Sequence, residues 1–162
     1  MKEKKAQGGK VILISFIIAF ILIIIPLPSS LQLARPEFVT ITLIYWCIAL
    51  PNRVGVGIGW STGLVIDVLT DTLLGQHALT LALIAYLASK LHQRIRVFPI
   101  WQQALTVLVL MSFQATITMW IKGLLSESPS FATFMIPAIT TAAVWPIAFL
   151  LMRQVRRNYH IT

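Results

Sequence analysis

The chain has 162 residues, of which 57% are hydrophobic and only 11% are charged, and its formal net charge is +8. Soluble domains are about 25% charged on average, so this composition excludes an ordinary soluble protein. A membrane-crossing helix needs about 20 mainly apolar residues, and long charge-free stretches therefore predict an all-α polytopic membrane protein with a single domain over residues 1–162. These stretches cover residues 11–34, 38–52, 72–89, 97–121 and 128–152.

Six transmembrane helices are predicted in chain order, with limits set by the prolines, turns and charges between them. They cover residues 9–28, 37–51, 54–72, 78–91, 100–122 and 131–152, followed by a basic tail over 153–162. Pro26 and Pro28 end the first helix, because proline lacks the backbone N–H donor and clashes with the preceding turn. No small-x-small cleavage site follows this apolar run, so we interpret it as an uncleaved helix rather than a signal peptide.

The basic residues indicate how these helices are oriented. With six crossings, all 13 lysines and arginines except Arg35 and Lys122 fall on the side of the two termini. The positive-inside rule then predicts that both termini are cytoplasmic. Basic loops at this depth meet anionic headgroups, so the positive charge predicts contact with anionic lipids and argues against nucleic acid as a partner.

Glycines recur at every fourth position near the start of the predicted helix 54–72. Gly55, Gly59 and Gly63 form two overlapping G-x-x-x-G steps, which lie along one face of a helix. In membranes this spacing lets two helix backbones approach closely. We expect a helix-packing or partner interface here. The neighbour is either another helix of the same chain or a partner's helix, and self-association is left open.

Two aspartates continue the same ridge into the outer half of the membrane. An aspartate at a helix centre costs about 2.5–3.5 kcal/mol on insertion scales, so Asp67 is predicted to be a buried polar lock. Asp71 is the outer-side acid, for which Lys122 and Arg35 are the available cations. Gln114 is a second buried polar position. Hydroxyl or backbone groups are expected to bind Asp67, with side-chain candidates on the predicted helix 100–122: Gln114, Thr116 and Thr118.

Motifs that could carry chemistry are few. The single cysteine, Cys47, lies inside an apolar run and excludes an intramolecular disulfide or a thiol metal cluster. Residues 59–63 match the G-x-S-x-G pattern of serine hydrolases, but that motif works as a strained strand-to-helix turn and here falls inside a helix. We therefore predict no enzyme and no catalytic, cofactor-binding or metal-ligating residue. Ser61 is also remote from the three histidines, which occupy helix ends or the tail: His77, His92 and His160.

Several stretches, taken in their order, resemble the MreD family of rod shape-determining proteins. One departure is Asp71, where the family more often has a small residue such as glycine. The stretches that carry the resemblance are Arg35-Pro36, Tyr45-Trp46, Ala49-Leu50-Pro51-Asn52-Arg53-Val54-Gly55, Gly63, Asp67, Leu74-Gly75, Trp101-Gln102-Gln103-Ala104-Leu105, Trp145-Pro146 and Phe149-Leu150-Leu151-Met152-Arg153.

The resemblance implies a non-enzymatic, multi-pass protein of the bacterial cell inner membrane that takes part in lateral-wall elongation. Its implied partners are MreC, the actin-like MreB directly or through MreC, the polymerase RodA and the elongation transpeptidase. The resemblance also implies a fold similar to the substrate-binding components of energy-coupling-factor transporters. It implies no catalytic residue and no cofactor.

Three functions are compared. The first is an adaptor that organises peptidoglycan synthesis by binding partner helices. The second is a small-molecule-binding transporter component, for which an Ala-x-x-x-Ala docking face is expected on the first helix; that helix offers only Ala19 in its isoleucine-rich part. The third is an intramembrane hydrolase that uses Ser61. The small-residue ridge and the scarcity of chemical groups favour the adaptor.

Overall fold

A computed structural model describes residues 2–124 and 130–159, and these residues form an all-α fold without strands. The helices are α1 (Lys2–Ile24), α2 (Ser29–Gln32), α3 (Phe38–Ala49), α4 (Val56–Leu69), α5 (Gln76–Val97), α6 (Ile100–Leu124) and α7 (Phe131–Asn158). Part of the connection between the predicted helices 100–122 and 131–152, residues 125–129, lies outside the described residues, as does His160. The all-α class is confirmed.

Two helices of the described part, α6 and α7, are long and apolar enough to cross a membrane. Three further apolar segments are shorter, at Gly8–Ile24, Phe38–Ala49 and Val56–Leu69. Large hydrophobic side chains such as Leu13, Val68 and Trp120 are exposed on the outside of the fold. Lipid tails are as apolar as leucine, so such a surface suits a bilayer. Six crossings and the transporter-like fold stay predictions.

The ends of several helices differ from those predicted, and each difference has a local cause. The first helix ends at Ile24 instead of residue 28, because a residue before a proline is disfavoured in the helical conformation and Pro26 follows closely. The predicted basic connection after residue 91 is wrong, since α5 continues to Val97 and Pro99 follows its end. Arginine and lysine are good helix formers, so charge alone does not end a helix.

The last helix continues past its predicted limit at residue 152 to Asn158, so most of the predicted basic tail over 153–162 is helical, and its cytoplasmic location stays a prediction. Arginine again sustains the helix, and no glycine or proline lies between Ile147 and Asn158 to end it. Pro137 and Pro146 lie inside the same helix without ending it. The helix predicted over 54–72 is shorter than expected. It covers only Val56–Leu69, because Gly55 is extended and the chain leaves the helix at Thr70.

The core is built around α3, a helix of 12 residues. Every residue from Val39 to Ala49 is buried, and Leu43, Ile44 and Trp46 are fully enclosed. A helix that is hydrophobic all round is expected at the centre of its fold. It packs against α1, α5 and α7, while α4 packs on α5 and α6 packs on α7. The Trp46 indole donates a 2.8 Å hydrogen bond to the Ser15 hydroxyl on α1.

Candidate functional site

The glycine ridge of α4 lies against α5 of the same chain. A Cβ atom at Gly59 would lie 2.7 Å from the Leu81 carbonyl oxygen and 2.8 Å from the Ala85 Cβ. A Cβ at Gly63 would lie 2.5 Å from both the Ala78 nitrogen and the His77 oxygen. Real Cβ atoms are not found so close to another heavy atom, so these two positions require glycine. A partner helix could enter this groove only by displacing α5.

Gly55 does not share this contact. It precedes α4 with an extended backbone, at φ −154° and ψ −153°, and a Cβ there would meet only the Pro51 carbonyl oxygen at 4.0 Å. The every-fourth-residue pattern begins one residue before the helix does. The ridge is therefore a two-glycine contact, formed by Gly59 and Gly63.

The carboxylate of Asp67 caps the start of α5. Oδ2 accepts hydrogen bonds from the backbone N–H groups of Gly75 at 2.8 Å and Ala78 at 3.3 Å. Oδ1 accepts one from the His77 N–H at 2.9 Å. The first N–H groups of a helix have no partner within it and are normally satisfied by a side-chain oxygen close by in sequence. Here the oxygen comes from the last turn of the preceding helix, so it also fixes α4 to α5.

Side chains complete the Asp67 cluster. The His77 Nδ1 atom lies 2.8 Å from Asp67 Oδ1, and the Thr72 hydroxyl donates to the same oxygen at 3.2 Å. Asp67 is only 1% exposed. The predicted backbone and hydroxyl bonding of Asp67 is observed, but the predicted side-chain partners on α6 are wrong. The chain turns back so tightly after α4 that the three backbone donors come from the next helix and from Gly75, the residue before it.

His77 is a site residue that the sequence reasoning missed. It lies ten positions after Asp67 in the chain, as the second residue of α5. A signal was available in the sequence: Leu74-Gly75 between two apolar stretches marks a tight helical hairpin, which brings the end of one helix to the start of the next. Gly75 supports this turn with φ +103°, a left-handed conformation that favours glycine.

A second polar cluster joins α3, α6 and α7. Gln114 donates from Nε2 to Glu37 Oε2 at 2.7 Å, and the Thr40 hydroxyl donates to the same oxygen at 2.8 Å. The backbone N–H of Glu37 donates to the Thr141 hydroxyl at 2.9 Å. Gln114 is buried as predicted, and its partner Glu37 was not anticipated as a site residue. Glu37 precedes α3, so its carboxylate connects the start of the central helix to α6, and its backbone N–H connects it to α7.

Asp71 lies in the turn between α4 and α5 with an exposed side chain and a left-handed backbone, at φ +50°. Such a conformation favours glycine and is tolerated by aspartate and asparagine. Glycine would adopt this conformation without strain. The guanidinium of Arg35 donates to the carbonyl oxygens of Leu22, at 2.6 Å, and Ile25, so it caps the end of α1. Neutralisation of Asp71 by Lys122 or Arg35 stays a prediction.

The described residues bring no nucleophile and base together at Ser61. Its hydroxyl donates to the Gly57 carbonyl oxygen of its own helix at 2.9 Å and is exposed. Among the described histidines, His77 binds Asp67, and His92 Nδ1 lies 2.5 Å from the Ser89 carbonyl oxygen. No group of three or more metal-ligating side chains occurs in the described residues. The two polar clusters are suited to holding helices in place.

Comparison with known proteins places this architecture in a family. The family model described as rod shape-determining protein MreD matches residues 4–155. A curated relative from Haemophilus influenzae, described as "Rod shape-determining protein MreD", is 32% identical over 147 residues, which cover 91% of this chain and 91% of the relative. No solved structure matches.

Proposed function

The chain belongs to the MreD family of rod shape-determining proteins, and from this premise we propose that it is a non-enzymatic adaptor of the cell-elongation machinery. In this role it spans the bacterial inner membrane several times and maintains rod shape by organising the synthesis of lateral-wall peptidoglycan. The observation that carries the proposal is the family match over nearly the whole chain.

The distribution of charge supports the proposed orientation, with both termini in the cytoplasm. Arg53 lies before the start of α4, and Arg96 and Arg156 lie in the last turns of α5 and α7, ends that six crossings would put on the side of the termini. The ends of α3 and α5 also pack together, since Arg96 of α5 donates to the carbonyl oxygens of Ile48 at 2.8 Å and Ala49 at 2.5 Å. These bonds satisfy the last turn of α3, whose carbonyls have no partner within the helix.

The proposed partners are MreC, MreB directly or through MreC, RodA and the elongation transpeptidase, with self-association as a further option. Because α5 already occupies the groove at Gly59 and Gly63, a partner helix has to use another face. The outer face of α4 carries exposed apolar side chains at Trp60, Val65 and Val68. Such a face suits a transmembrane helix of a partner. The alternative of a small-molecule-binding transporter component is not favoured by the family match.

Depletion in a rod-shaped host tests the shape role. Cells that lose this protein are expected to become round and to disperse MreC, and a plasmid copy of the wild-type gene should restore both. An empty plasmid is the matched control. Cells that stay rod-shaped, with MreC in its usual place, would contradict the adaptor.

Site-directed crosslinking tests which helix face meets a partner. Single cysteines are introduced at Val68 and, as the control, at Ile66, which is buried in the same helix, in a chain whose own buried Cys47 is replaced by serine. Crosslinks from Val68 to MreC are expected in native membranes. Crosslinks from Ile66 alone would instead indicate that a partner contacts the buried side of α4.

A further inference from the structure

A pocket lies at the end of the fold where α3, α5 and α7 finish and α6 begins. Its volume is about 790 Å³, within the range of small-molecule sites, about 300–1,000 Å³. Four arginines line it, and its lining also includes the aromatic pair Tyr45 and Phe149, with ring centroids 5.7 Å apart. The arginines are Arg96, Arg153, Arg156 and Arg157.

Two buried polar atoms of the pocket lining have no hydrogen-bond partner within the described chain. They are the Tyr45 hydroxyl and the Gln103 Oε1 atom. Tyr45 is 2% exposed and Gln103 is 3% exposed. The amide nitrogen of Gln103 donates to the Phe98 carbonyl oxygen at 3.0 Å, which leaves Oε1 as an acceptor. Buried polar groups normally have partners, so a donor and an acceptor together point to a ligand.

The chemistry of the lining selects the ligand. Arginine binds phosphate with charge-assisted, often bidentate hydrogen bonds, and the Tyr45 hydroxyl is a further donor to a phosphate oxygen. Gln103 Oε1 requires a donor, which a bare phosphodiester lacks and a hydroxyl-bearing headgroup supplies. The start of α6 at Ile100 also lines the pocket, and the dipole of a helix favours an anion there.

We infer that this pocket binds the headgroup of an anionic phospholipid of the phosphoglycerol type, from the cytoplasmic leaflet. The phosphate lies among Arg153, Arg156 and Arg157 and accepts from the Tyr45 hydroxyl, while a headgroup hydroxyl donates to Gln103 Oε1. Basic pockets between membrane helices on the cytoplasmic side are known sites for anionic headgroups. The inference rests on the proposed orientation and is independent of the adaptor role.

The test is equilibrium binding to the full chain, purified in a neutral detergent, by native mass spectrometry. The probes are short-chain phosphatidylglycerol, phosphatidylcholine with the same acyl chains, and water-soluble glycerol 3-phosphate. Phosphatidylglycerol is expected to bind at least about tenfold more tightly than phosphatidylcholine, because the choline cation is repelled by the arginines and carries no hydroxyl that could donate to Gln103 Oε1. Equal affinity for the two lipids would overturn the inference. Tight binding of glycerol 3-phosphate alone would overturn the lipid source.

Matched variants locate the site. Arg156→Gln is expected to weaken phosphatidylglycerol binding about tenfold, and Tyr45→Phe about fivefold through the loss of one neutral hydrogen bond. The controls are Arg94→Gln and Tyr159→Phe, which change exposed residues outside the pocket and should leave affinity unchanged. The Tyr45→Phe variant keeps the ring that packs on Phe149, so it is expected to fold. Equal losses in the site variants and their controls would overturn the assignment.

Discussion

The Nδ1 atom of His77 lies 2.8 Å from Oδ1 of Asp67, so an acid from the last turn of α4 meets an imidazole in the first turn of α5. The same carboxylate accepts the backbone N–H groups of Gly75, His77 and Ala78. One buried side chain therefore satisfies the start of a 22-residue helix. Asp67 and the glycine contact at Gly63 both meet residues 77–78, and together they fix the α4–α5 hairpin.

Replacing Asp67 tests the cap. Asp67→Ala is expected to lower the free energy of unfolding by about 2–4 kcal/mol, since it removes a helix cap and leaves buried donors without partners. Thermal melting in detergent micelles, followed by circular dichroism, measures the loss. The control is Asp71→Asn, an exposed substitution that keeps a residue tolerant of the left-handed turn. A melting temperature of Asp67→Ala equal to that of the control would refute the capping role.

How far the sequence predicts this site depends on the kind of information each residue carries. Asp67 stands out because a charge inside an apolar run requires an explanation, and Gly59 and Gly63 stand out by their spacing. The partners of Asp67 depend on how the chain turns at Asp71 and Gly75, where left-handed backbone conformations bring His77 back to α4. Composition and periodicity contain no information about that geometry, so the acid was predicted and its imidazole was missed.

For the helices, the sequence predicts their existence better than it predicts where they end. Apolar runs predict that α3 and α6 exist, but they place the end of α5 at residue 91, directly after Lys90, where hydropathy falls. The helix in fact continues past Lys90 to Val97, because hydrogen bonding and packing of the helix persist beyond the apolar segment. Arg96 on this extension reaches the end of α3. The basic residues assigned to a loop are thus part of the helical frame.

The close contact at Gly63 predicts that adding a single methyl group there destabilises the fold. Gly63→Ala is expected to destabilise the fold by about 1–3 kcal/mol, because a Cβ there meets backbone atoms of α5 and forces the helices apart. Gly57→Ala is the matched control: it lies in the same helix with open space around its Cβ, and should be neutral or stabilising by up to about 1 kcal/mol. Melting curves in detergent compare the two variants. Equal effects would show that α4 and α5 are not in close contact.

The cluster at Glu37 is expected to behave as a coupled pair. In a double-mutant cycle, Glu37→Gln and Gln114→Leu should show an interaction free energy of about 0.5–3 kcal/mol, as residues that share a hydrogen bond do. Gln102→Leu, toward the other end of α6, is the control and should add to Glu37→Gln within about 0.5 kcal/mol. Unfolding in detergent of the wild type, the two single variants and the double variant measures the free energies that each cycle compares. An additive Glu37–Gln114 pair would exclude the 2.7 Å bond as a stabilising contact.

Variants at Asp71 distinguish a role of its backbone conformation from a role of its charge. At φ +50°, Asp71→Val is expected to destabilise the fold by about 1–2 kcal/mol, because a β-branched residue is strained in the left-handed region, whereas Asp71→Gly should be neutral or slightly stabilising. Melting temperatures distinguish the two variants.

The charge of Asp71 is tested separately by restoring rod shape to depleted cells, where Asp71→Gly should succeed because the family resemblance implies a small residue at this position. Round cells expressing a stable Asp71→Gly protein would show instead that the carboxylate itself is required, and would make Asp71 a contact residue for a partner on the outer side of the membrane.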